Sequence, residues 1–184
     1  MSRLPTAITD YILTFCNTIV PGGVPIFIGI TPDRDSRPLD CFMNVRHAVE
    51  KQGGRIQYGW AIWEWRGVFV EAEHHAVHDL GNNQPWRDIT PCRGYQSRLF
   101  LPDDSATYNF DNEGVLRLNK MQPLNDDYII ADFIDAECRK REYLNTLPGV
   151  GVITAAAVEL KQLNKLTNRA KKLYAAVATK YGDL

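Results

Sequence analysis

Three side chains that can jointly carry out acyl transfer fall within 48 residues of this chain: Cys41, His75 and Asp88. A thiol attacks a carbonyl efficiently only as the thiolate, so a base must take its proton. An imidazole can take that proton and later give one to a leaving amine. A carboxylate on the far side of the ring fixes the tautomer and steadies the imidazolium. The chemistry these residues imply is attack on an amide through a thioester.

Such a trio works only if separate elements carry it to one place. Asp40 is a fair N-cap, and residues 41–52 read as a helix stopped by Gly53-Gly54, which puts Cys41 in the first turn. There the positive end of the helix dipole favours the thiolate, and the first-turn N–H groups could stabilise an oxyanion. Three strand-like segments follow, at 55–65, 68–78 and 86–90, joined by Arg66-Gly67 and by Leu80-Gly81-Asn82-Asn83. Glu71, Glu73, His75 and Val77 share one strand face. If 80–83 is a four-residue loop, His75 lies opposite Asp88, about 5 Å apart at Cβ. A register two residues away keeps them diagonal neighbours, whereas a one-residue slip separates them. Asn44, Gln57 and Trp60 are possible helpers.

Cys41 on a helix, His75-Ala76-Val77 on a strand and Asp88-Ile89-Thr90-Pro91 after a tight turn resemble the transglutaminase-like branch of the papain-like cysteine peptidase superfamily. The resemblance covers about residues 39–92. It implies a papain-like core in which Cys41 is the nucleophile, His75 the base and Asp88 the orienting carboxylate. It also implies peptidase, amidase, deamidase, transglutaminase or acyltransferase activity without a cofactor.

Other patterns compete with this one. Trp60, Trp63 and Trp65 with Tyr58 make the first strand aromatic, which suits core packing or a groove wall for an extended peptide. Trp60, Trp63 and Glu73 are the candidate substrate contacts, with Glu73 favouring basic substrates. His74, His75 and His78 with Glu71, Glu73 and Cys92 supply zinc-type ligands. His74 and His75 point to opposite faces, however, and His78 lies roughly 13 Å beyond His74 along the strand. No metal site is expected. Leu144 to Ala155, centred on Leu147-Pro148-Gly149-Val150-Gly151, resembles the helix-hairpin-helix motif of DNA-binding proteins. Arg139, Lys140, Arg141, Lys161 and Lys165 lie around it, so nucleic acid contact through 139–165 is the rival function. A non-catalytic adaptor or immunity-type protein is a third.

Composition sets the frame for these readings. The 184 residues are 45% hydrophobic and 23% charged, ordinary for a globular fold, and the net charge of −1 points to no polyanionic partner. From Glu137 onward nine Lys/Arg face four Asp/Glu, about +5, which leaves about −6 for the rest. Four cysteines with no CxxC pair read as reduced thiols of a cytoplasmic protein. No membrane partner is expected, because no apolar stretch approaches the roughly 20 residues of a spanning helix. Helical spacing covers 5–19, and Val24 to Ile30 reads as a buried strand. Weaker strand signals occur at 98–101 and 115–118. Helices are expected over 127–146 and 152–181. The expectation is therefore an α+β catalytic-type domain over 1–125 and a C-terminal helical segment over 126–184, acting on a protein or peptide substrate.

Overall fold

The structure, a computed structural model, describes residues 2–112, 117–147 and 157–182. It is mixed α+β, 40% helical and 24% strand, with a closed five-stranded β-barrel and C-terminal helices. The chain divides into two compact units. One comprises Leu4–Trp63 with Ala72–Tyr108; the other comprises Met1–Arg3, Glu64–Glu71 and Asn109–Leu184. In this division residues 64–71 and 109–125 group with the C-terminal helices.

The barrel unit opens with α1 (Asp10–Ile19), which buries Ile12, Phe15 and Cys16. It begins five residues later than its apolar spacing suggests, after Pro5 and after Thr9 as N-cap. Strand β1 (Ile26–Ile30) comes next, then α2 (Cys41–Gln52), β2 (Arg55–Trp65), β3 (Phe69–Asp79), β4 (Arg87–Asp88) and β5 (Ser97–Pro102). Gly53 ends α2 with φ +76°, a conformation open to glycine at little cost. The sequence suggests an antiparallel meander, and β2, β3 and β4 do neighbour one another. The ring then closes through β1, parallel to β4 and antiparallel to β5, with β5 antiparallel to β2. Closure brings β2 and β5 so close at Gly59 that a Cβ there would strike the Leu101 carbonyl and the Phe100 ring. Ile28, Val77 and Phe100 form a buried apolar cluster with Trp86 against it.

Strand β4 is shorter than its sequence signal. Asp88 Oδ1 accepts the N–H of Thr90 at 2.9 Å, and this local turn takes a donor that the ladder would otherwise use. His78 pairs with Arg87, a register two residues from the expected one. The intervening loop is wider because Gly81, Asn82 and Asn83 all adopt positive φ. His75 and Asp88 become diagonal neighbours, and the facing relation between them survives.

In the helical unit, α3 (Tyr128–Thr146) and α4 (Ala157–Tyr181) follow β6 (Lys120–Pro123), a strand at the sheet's end beside β3. The expected strand at 115–118 does not form at 117–118, and residues 115–116 lie outside the described ones. The two helices run antiparallel: Tyr143 near the end of α3 donates to the Glu159 carbonyl early in α4, while Asp127 before α3 meets Lys180 at the end of α4. Trp65, Val68, Phe69, Ile130, Phe133 and Val177 form the core of this unit. Its apolar burial is the main source of stability for helices that alternate core and charged positions.

Candidate active site

Asp88 is the best-anchored group of the barrel unit. Its strand lies between β1 and β3, which leaves the residue 0% exposed. Oδ1 carries the Thr90 N–H bond. Oδ2 accepts from Arg98 Nε at 2.5 Å and lies 3.2 Å from His75 Nε2. The histidine contact is within ion-pair reach, yet Nε2 makes no aligned hydrogen bond. The oxygen it faces is already engaged by the guanidinium. Burial by itself would raise the Asp88 carboxyl; His75 and Arg98, with the Thr90 N–H, outweigh burial and hold it at about 2.

His75 is 4% exposed and sits edge-on to the Phe100 ring at 6.4 Å. Burial works against its charge, but Cys41 and Asp88 overcome it and push the ring up to about 9, with Arg98 opposing them. The imidazole is therefore protonated at neutral pH. Cys41 opens α2 as expected and is 9% exposed. Its effect on His75 places thiol and ring in one electrostatic neighbourhood. The Asp40 side chain makes no cap hydrogen bond, so it does not take up the first-turn N–H groups of α2. Burial pushes the Cys16 thiol up to about 12 and also raises Cys138.

The structure brings His75 and Asp88 together, with Cys41 near enough to favour charge on the ring, and adds Arg98, which the sequence reading missed. Arg98 had a signal: it is a lone cation heading the apolar run Leu99-Phe100-Leu101, on the same strand face as buried Phe100. The expected substrate contacts separate. Trp63 and Glu73 are half-buried and bonded to each other, Nε1 to Oε2 at 2.8 Å, with the Arg98 guanidinium 5.4 Å from the Trp63 ring centre. Trp60 is only 3% exposed, its indole N–H on Asp103 and its ring against His74. It is packed as a core residue, in keeping with the core-packing reading of the aromatic strand.

The helpers are also fixed. Asn44 bonds both backbone groups of Arg37 and donates to Thr90 Oγ1, tying α2 to the end of β4. Gln57 donates to the Tyr58 carbonyl and to Asp104. A cavity of about 260 Å³ lies along α2, lined by Asp33, Asp35, Asn44, His47 and Lys51 among others. None of Cys41, His75 and Asp88 lines it, so its position does not define access to the thiol.

Two of the zinc-type histidines face backbone, and Glu71, Glu73 and His75 have partners outside that set. His74 Nε2 meets the Ala106 carbonyl and His78 Nε2 the Gly53 carbonyl. Among the described residues no three His, Cys, Asp or Glu side chains are grouped to hold a metal. The helix-hairpin-helix resemblance falls largely on 148–156, outside the described residues. Of its nearby cations, Arg139 pairs with Asp135, Lys140 with Glu137 and Arg141 with Glu71. No described helix is long and apolar enough to cross a membrane. Comparison with protein-family models, curated proteins and solved structures finds no match.

Proposed function

We propose that this chain is a cysteine-dependent acyl-transfer enzyme of the transglutaminase-like or papain-like kind. The observation that carries the reading is the buried His75 ring 3.2 Å from the Asp88 carboxylate, a ring whose charged form Cys41 and Asp88 both favour. Asp88 faces Nε2, so proton exchange with the thiol falls to Nδ1. The Cys41 thiolate forms a C–S bond with the substrate carbonyl, and first-turn N–H groups of α2 receive the oxyanion. The C–N bond then breaks as His75 gives its proton to the departing amine. Water or an amine attacks the resulting thioester; His75 takes the attacker's proton, and the thiolate leaves. Free thiols at all four cysteines fit a reducing compartment such as the cytoplasm. The half-buried Trp63–Glu73 pair, two residues from His75 along β3, supports a protein or peptide substrate.

Iodoacetamide alkylation across pH, with each thiol mapped, tests this reading. Below pH 7 Cys41 reacts faster than Cys16, Cys92 and Cys138, and His75→Ala abolishes its advantage. A Cys41 no faster than Cys92 below that pH would falsify the enzyme assignment.

A further inference from the structure

We propose that Arg98 is a positioning residue of this site: it fixes Asp88 through Oδ2 and sets how readily His75 releases its proton. The proposal rests on the acyl-transfer reading above. Arg98 is 3% exposed, and a guanidinium so buried requires a partner of opposite charge. Its Nε–H bond ends on the carboxylate oxygen that His75 Nε2 faces. On its other side lies the Trp63 ring, itself tied to Glu73, so packing restricts the guanidinium from two directions.

A charge count shows the consequence. With Cys41 as thiolate, Arg98 and His75 supply two positive charges while Asp88 and Cys41 supply two negative ones, so the buried cluster is neutral. Without Arg98 it carries a surplus negative charge, and in a poorly solvated site His75 must then hold its proton more tightly. Acyl transfer needs that proton to leave once per cycle, to the departing amine, and a proton from the attacking water or amine to return. An imidazole locked in its charged form fails at the first of these steps. The aligned bond from Arg98 also keeps Asp88 in place beside the ring, with Oδ2 3.2 Å from Nε2. The histidine is therefore oriented through Nε2 and remains able to exchange its Nδ1 proton.

The test is an NMR titration of the His75 ring nitrogens in the full chain, for wild type, Arg98→Met and Arg98→Lys. Arg98→Met raises the His75 midpoint by about one pH unit, tenfold in proton affinity. Arg98→Lys, which keeps the charge, returns most of that shift. A folded Arg98→Met with an unmoved midpoint, or an equal shift in both variants, overturns the proposal in favour of packing alone. Should Arg98→Met not fold, Asp88→Asn is compared with Asp88→Asn/Arg98→Met. The double variant titrates at higher pH, and coincident midpoints overturn the proposal equally. Wild-type Cys41 alkylation, measured alongside, reports separately on the enzyme assignment, because a sluggish thiol with a shifted His75 midpoint refutes that assignment and leaves the electrostatic role of Arg98 standing.

Discussion

Asp88 in the barrel unit and Asp127 in the helical unit reach the same acidity, each held at about 2, by opposite routes. Asp88 is fully buried, so desolvation opposes its charge and two cations must overcome it. Asp127 is the N-cap of α3, its side chain 9% exposed beneath the end of α4. It accepts from Lys180 at 2.6 Å, from the Tyr181 hydroxyl at 2.7 Å and from the Ile129 N–H at 3.2 Å. Those hydrogen bonds, that of Lys180 foremost, lower it against a smaller opposing effect of burial. Equal acidity therefore says nothing about equal importance. One carboxylate belongs to a cluster that cannot lose a member without stranding a charge; the other ties two helix ends together through a lysine that is 57% exposed and can turn to water.

The largest test of that contrast removes the buried carboxylate. Asp88→Ala leaves Arg98 buried without its partner, and breaking such a pair costs about 3–5 kcal/mol. Urea titration of the variant should show a midpoint lowered accordingly, with Cys41 alkylation below pH 7 slowed as His75 loses its orienting charge. A variant as stable as wild type would mean that solvent reaches the cluster.

How much of this was legible in the sequence depends on range. Local signals worked: Asp40 and Gly53 bracket α2, and the turns at Arg66-Gly67 and Gly81-Asn82-Asn83 delimit β2, β3 and β4. The resulting diagonal approach of His75 to Asp88 was foreseeable, because a two-residue register change preserves the face. Pairings of β1 with β4 and β5 were not, since nothing in a five-residue strand names its distant partners. Strand β6 was invisible because Lys120-Met121-Gln122-Pro123 has neither alternation nor a buried face. Arg98 was passed over because its flanks read only as an apolar strand, and its partner is recognisable only once β5 and β4 flank β1.

Acid titration sharpens the comparison further. A carboxyl lowered from 3.8 to about 2 contributes stability that is complete above its unfolded value and lost as pH falls through the folded one. For Asp88 this is on the order of 2 kcal/mol, lost between about pH 4 and pH 2. In Asp88→Asn the unfolding free energy should fall less steeply across that window. An unchanged slope would remove Asp88 as its source.

The alkaline side has the reverse sign. His75 is raised from 6.5 to about 9, so its contribution is complete below 6.5 and disappears as pH rises through about 9. Thermal unfolding of wild type should weaken over that interval, and His75→Gln should flatten the dependence. The two windows describe one coupled pair from opposite ends and are not summed.

The smallest effect belongs to Asp127→Asn. Asparagine caps a helix about as well as aspartate, so the bond to the Ile129 N–H persists. What is lost is an ion pair with Lys180, whose side chain is 57% exposed, and such pairs are heavily screened by water and salt. Lys180 is raised chiefly by its bond to Asp127, and in the variant it should titrate closer to its ordinary value while the urea midpoint scarcely moves. A destabilisation as large as that of Asp88→Ala would show that the closure of α4 on the start of α3 depends on charge, and the distinction between the two carboxylates would fail.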